Sequence, residues 1–167
     1  MLIRAEKECD REPVREVNIA AFGTLSEANL VDTLRQHIQT TVSLVAEENG
    51  EVVGHIMFSP VSLSGHPNLK VMGLAPMAVT PAHQKKGVGS ALVRAGLDQC
   101  RQLGFVAAVV LGHPQYYPRF GFLPSFKFGI DSEYDVPKEV FMAMELRPDA
   151  LSGKTGKVRF HSVFNNA

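Results

Sequence analysis

The spacing of apolar residues changes several times along this chain, and each change marks an element. Leu2 to Ala5 fits a short first strand. After Asp10, Val14, Val17 and Ala21 recur at three- and four-residue intervals, the period of one helix face, and Gly23 stops the run. Asp10 stands where a capping carboxylate is expected. Ser26 opens a second run of this kind, with Leu30, Leu34 and Ile38 four apart. At Thr41 the period falls to two. Val42, Leu44 and Ala46 alternate, Asn49-Gly50 supplies a tight-turn dipeptide, and Val53, Ile56 and Phe58 follow. This pattern predicts an antiparallel hairpin with strands at about residues 41–47 and 52–61.

Gly65-His66-Pro67-Asn68 reads as a loop, followed by a strand over about residues 70–79. Pro76 lies inside that strand. It cannot donate to a ladder, so it marks a bulge, an edge or a strand end. A helix follows from about Gly87 to Leu103 and ends at Gly104, with Leu92, Val93, Gly96, Cys100 and Leu103 on its apolar stripe and Arg94, Asp98 and Arg101 facing outward. The unbroken apolar run from Phe105 to Leu111, bounded by Gly104 and Gly112, reads as a strand covered on both faces. Strand, helix and strand make a βαβ unit. Two shorter strands, at residues 140–145 and 158–163, are expected in the tail. Phe120, Phe122, Phe126 and Phe128 alternate as a core strand would, or as the lining of a pocket. The expected fold is α/β, with a mixed, mostly antiparallel sheet, a central βαβ unit and helices on both faces. A single domain is expected over residues 1–167.

Charge narrows the classes of function. Lys and Arg number 17, as do Asp and Glu, so the formal net charge is zero and any anion binding is local. No basic stripe carries stacking aromatics, which argues against nucleic acid as a partner. No apolar run has the length of a membrane span, and the first eight residues lack the apolar core of a signal peptide. Cys9 and Cys100 form no disulfide framework, and the six histidines show no metal-ligand spacing. No metal is expected. A reduced, cytoplasmic globular protein is the reading these features support.

The chemistry concentrates where the 70–79 strand passes into the helix, at Val79-Thr80-Pro81-Ala82-His83-Gln84-Lys85-Lys86-Gly87-Val88-Gly89-Ser90. A helix N-terminus leaves unpaired N–H groups and carries partial positive charge, and glycines let a ligand approach the backbone closely. Phosphate suits such a place. The dinucleotide fingerprint lacks its third glycine here, since Leu92 stands at that position, and no Gly-x-x-x-x-Gly-Lys-Ser/Thr run exists. What remains is Gln-x-x-Gly-x-Gly.

That motif, with Tyr116-Tyr117-Pro118-Arg119-Phe120-Gly121-Phe122 after the second strand of the unit, resembles the GNAT superfamily of N-acetyltransferases. With Leu74-Ala75-Pro76-Met77-Ala78-Val79 it is similar to a subgroup of predicted acetyltransferases carrying Tyr-Tyr-Pro-Arg-Phe-Gly-Phe. The resemblance implies an acetyl-CoA-dependent enzyme acting on a small-molecule or peptide amine by direct attack. It implies that Met77 and Val79 bind the pantetheine arm through their main chain. It also implies that the amides of Gln84, Lys85, Lys86, Gly87, Val88, Gly89 and Ser90 hold the pyrophosphate. Tyr117 would then donate a proton to the departing thiolate. The general base stays open among Glu27, His55, His113 and water. The 70–79 strand lacks the glutamate that several relatives place there, and Val110 and His113 replace the family's asparagine and alanine. A non-catalytic acyl-CoA-sensing module, an interaction protein such as a homodimer with an empty loop, and transfer of a longer acyl group also remain compatible with the sequence.

Overall fold

In the computed structural model, which describes residues 1–166, the alternating stretch around Asn49-Gly50 forms a long hairpin. Strand β2 (Val42–Glu48) pairs antiparallel with β3 (Glu51–Leu63), from Val42 opposite Phe58 to Glu48 opposite Glu51. Asn49 (φ 53°) and Gly50 (φ 82°) are both left-handed, the conformation a two-residue turn needs to match strand twist. Strand β1 (Leu2–Ala5) adds antiparallel to β2. The helical runs form α1 (Arg11–Phe22), ended by Gly23 at φ 76°, and α2 (Ser26–His37).

The chain divides into two compact units. The first holds Met1–Ser59, Ala75–Gly96 and residues 162–166. Its core packs Val14 of α1 with Leu30, Val31 and Leu34 of α2 against Val45 and Met57 of the hairpin. Asp10 does not cap α1 with its side chain. Its carboxylate instead accepts from the Lys7 N–H (2.7 Å) and from both terminal nitrogens of Arg4 (2.7 and 3.0 Å), and Arg4 also reaches Glu47. A buried carboxylate gains more from a forked guanidinium than from one helix amide, and Arg4 holds the Asp10 carboxyl below the usual range.

The second unit comprises Pro60–Leu74 and Leu97–His161. Strand β4 (His66–Val79) begins four residues earlier than expected, because the loop shrinks to Ser64-Gly65, with Gly65 at φ 80°. It pairs in parallel with β5 (Ala107–Leu111) from Val71 opposite Ala107 to Leu74 opposite Val110. This ladder ends at Leu74, two residues before Pro76, which has no N–H to donate, while β4 itself runs on to Val79. Helix α3 (Val88–Gln102) connects the two strands as the βαβ pattern implies. Strand β8 (Phe141–Glu145) pairs antiparallel with β5, and β6 (Leu123–Pro124) pairs with β8. Strand β9 (Gly156–Arg159) joins the end of β3 and runs parallel to β7 (Ile130–Ser132). Leu63, Val71, Val109, Ile130, Phe141 and Val158 are central to this unit's core.

Three further expectations change. The final strand is shorter, ending at Arg159, and Ser162–Asn166 form a three-ten turn. The alternating phenylalanines are not a strand: Tyr117–Phe120 and Ser125–Phe128 are three-ten turns, closed by Gly121 (φ 108°) and Gly129 (φ 73°). Only Phe122 of the four is buried, and Phe126 stays 47% exposed. On α3, Leu103 falls beyond the helix end and is 41% exposed, while Leu97 takes the buried position between Val93 and Cys100.

Candidate functional site

The loop before α3 is pinned at its start by the first unit's own backbone. Beyond β4, the Thr80 N–H donates to the Val53 carbonyl (2.9 Å). Pro81–His83 then make a three-ten turn in which Thr80 Oγ1 meets His83 Nδ1 at 2.9 Å, and His83 Nε2 lies 3.8 Å from a Glu48 carboxylate oxygen. The Gln84 side-chain amide returns to the Val79 carbonyl (3.0 Å), and its main-chain N–H turns inward to Pro81. Gln84 therefore shapes the loop from inside.

Past Gln84 the backbone opens. Lys85 and Gly87 are left-handed (φ 64° and 85°), and a Cβ on Gly87 would stand in open space. A non-glycine residue held at positive φ is strained, and such strain gathers where backbone meets a ligand. Lys85, Lys86 and Gly87 are exposed, while Val88 is buried and anchors the helix start. The first helical bond runs from the Ala91 N–H to the Gly87 carbonyl. Among the described residues, none of the main-chain N–H groups of residues 85–89 meets a protein acceptor. Successive unpaired amides at a helix N-terminus beside two exposed lysines are donors and charges of the kind an anion takes. A diphosphate fits these donors and this charge.

The seat of α3 depends on two glycines that the sequence pattern does not single out as supports. A Cβ on Gly54 would come within 3.0 Å of both Val88 and Leu92, and one on Gly96 would overlap the Phe58 ring. The loop's approach to the hairpin thus rests on two missing side chains. The sequence signal was available: a glycine inside a strand or helix often marks close approach of a neighbour.

Tyr117 belongs to the second unit and is buried on the turn Tyr117–Phe120. Its ring packs edge-to-face on Tyr116 (5.1 Å, 87°) and on Phe122 (5.8 Å, 81°). A Cβ at Gly112 would overlap it. The Tyr-x-x-x-Gly-Phe spacing now has a physical reading: Gly121 supplies the left-handed turn end, and Phe122 supplies the wall of the ring's slot. Burial, and secondarily Tyr116, push the Tyr117 hydroxyl up to about 12.

The candidate bases separate. His55 is fully buried, hydrogen-bonded to Ser43 (2.9 Å) and facing Asn18 (3.4 Å), and burial lowers its pKa to about 3, with the Arg35 charge a smaller cause. It is a core residue. Glu27 accepts from Thr24 Oγ1 (3.0 Å) in the first turn of α2, and His113 is exposed past β5. Among the described residues, no group of three or more His, Cys, Asp and Glu could hold a metal, and no helix is long and apolar enough to cross a membrane.

The chain belongs to the acetyltransferase (GNAT) family, whose model matches residues 9–122. It is 36% identical over 166 residues to the uncharacterized N-acetyltransferase YhbS of Escherichia coli, covering 99% of each chain. The crystal structure of YhbS in complex with CoA superposes with a TM-score of 0.93, covering 98% of this chain and 91% of the other. A GNAT family acetyltransferase from Brucella melitensis in complex with acetyl-CoA is 38% identical, with a TM-score of 0.81 and coverage of 98% and 97%. The chain is an acetyltransferase by family, with the α/β fold of that family.

Proposed function

We propose that the protein transfers an acetyl group from acetyl-CoA to the amine of a small molecule or peptide, by direct attack and within one domain of residues 1–167. The run of unpartnered amides at residues 85–89 carries this reading. Similar chains crystallised with CoA and with acetyl-CoA support it. The amides of Lys85, Lys86, Gly87, Val88 and Gly89 hold the pyrophosphate, with Gln84 and Ser90 closing the loop on either side. Met77 and Val79 serve the pantetheine arm through their main chain; one Val79 carbonyl lone pair is already engaged by Gln84. The Tyr-Tyr-Pro-Arg-Phe-Gly-Phe segment supports placing the chain in a subgroup carrying that motif. The cytoplasm is the compartment this reading implies, and a homodimer is compatible with it.

Acetyl-CoA supplies the acetyl group as an activated thioester. The acceptor nitrogen forms a C–N bond to the carbonyl carbon, the C–S bond breaks, nitrogen loses one proton and sulfur gains one. An alkylamine with a pKa of ~10.4 must first be deprotonated. With His55 sealed in the core, water or an exposed side chain takes that proton. We assign Tyr117 the donor role toward sulfur. At about 12 its hydroxyl stays protonated across the neutral range. It holds its proton more tightly than an ordinary thiol of pKa ~8.5, so it stabilises the departing sulfur first as a hydrogen-bond donor.

Release of free CoA thiol across a panel of amines tests the reaction. Amine-dependent release above hydrolysis is expected. Binding of acetyl-CoA with no release for any amine would instead favour the sensing module.

A further inference from the structure

The second unit holds a cavity of about 360 Å³ that no residue assigned to the coenzyme enters. Its volume falls in the range of small-ligand sites, roughly 300–1,000 Å³. Phe141 is the buried floor, Tyr134 forms a wall stacked on Phe160 (5.7 Å, 29°), and Phe126 stands 47% exposed at the lining. An aromatic ring left half in water beside a buried one is open to an apolar ligand body.

The charges around this cavity are arranged in an informative way. Asp131 of β7 and Lys157 of β9 are register partners in a parallel pair, so their side chains leave the same face of adjacent strands. Both line the cavity, as do Asp135 and Lys138. Among the described residues, none of these four side chains makes an ion pair. The first unit behaves otherwise: Glu6, Asp10, Asp32 and Glu47 all engage arginines. The remaining lining carboxylate, Glu133, accepts from the Phe160 N–H (2.8 Å). Carboxylates and ammonium groups thus face one aromatic-walled cavity without neutralising one another.

We propose that this cavity binds a small amphoteric molecule, an α-amino acid with an apolar or aromatic side chain. Its ammonium group meets Asp131 and Asp135, its carboxylate meets Lys157 and Lys138, and its side chain lies against Phe126 and Phe141. Each charge of the ligand finds its opposite, and the apolar body removes exposed ring surface from water. This site goes beyond acetyl transfer and is read without acetyl-CoA, so its failure leaves that reading intact.

Calorimetric titration of the full chain with L-phenylalanine, 2-phenylethylamine and 3-phenylpropanoate tests the inference. L-phenylalanine binds saturably, and each singly charged analogue binds about tenfold more weakly, the loss that one charge-assisted contact represents. Asp131→Asn removes the advantage of L-phenylalanine over 3-phenylpropanoate, and Lys157→Gln removes its advantage over 2-phenylethylamine. Both residues are exposed, so neither substitution threatens the fold. Absence of saturable L-phenylalanine binding, or equal binding by wild type and both variants, overturns the proposal.

Discussion

Tyr117 and Gly112 form a unit at the scale of single residues. The Tyr117 ring occupies the space that a Cβ at position 112 would need. Tyr117→Phe removes the donor and keeps the ring, so turnover is expected to fall about 10²-fold or more, with the dissociation constant of acetyl-CoA nearly unchanged. Gly112→Ala keeps the hydroxyl but displaces the ring, so turnover should fall by at least an order of magnitude in steady-state assays, with the tyrosine chemistry intact. Unchanged turnover in Tyr117→Phe would remove this residue from the mechanism. Of these two positions only Tyr117 was legible in the sequence, because its spacing to Gly121 and Phe122 is a motif. Gly112 reads in the sequence as a strand boundary, and its reason lies in a contact five residues away.

At the scale of elements, α3 carries the account, because its first turn presents the amides. Gly54 and Gly96 let it sit against β3. Gly96→Val would drive two methyl groups into the Phe58 ring. The expected cost is about 1–3 kcal/mol, a fall in Tm of about 2–4 °C for each kcal/mol in a chain of this size. A thermal melt checks this, and an unchanged Tm would show that Phe58 can move aside. Much at this scale followed from periodicity. The Asn49-Gly50 hairpin, α1, α2, the βαβ connection and β8 come directly from spacing and turn chemistry. The segment after Gly121 did not, because Pro118, Gly121, Pro124 and Gly129 break an aromatic alternation that resembles a strand. The local pattern makes Asp10 a cap, whereas a guanidinium six residues earlier in the chain claims it.

At the scale of the whole molecule, the buried His55 couples folding to pH. Asn18 donates to the Val14 carbonyl (3.0 Å) and faces His55 Nδ1, which leaves Nε2–H to donate to Ser43. The folded pKa is depressed to about 3 from 6.5. Between those values the unfolded chain binds a proton that the folded chain does not, so stability is lost as pH falls below about 6.5. Near pH 5 the slope from this one group is on the order of 1 kcal/mol per pH unit. Urea titrations at several pH values should therefore show a shallower acid slope in His55→Gln than in the wild type, and parallel slopes would deny His55 its neutral, sealed state. The family was legible from two motifs in order along the chain. The acceptor was not, since a single sequence does not show which side chains converge on one cavity. The most direct test of the whole account is a calorimetric titration of acetyl-CoA into the wild type and Gly87→Val. A branched side chain at φ 85° both strains the loop and stands where phosphate must lie, so binding is expected to weaken by at least about tenfold. Equal affinity in the two proteins would contradict the claim that the open amides before α3 hold the coenzyme.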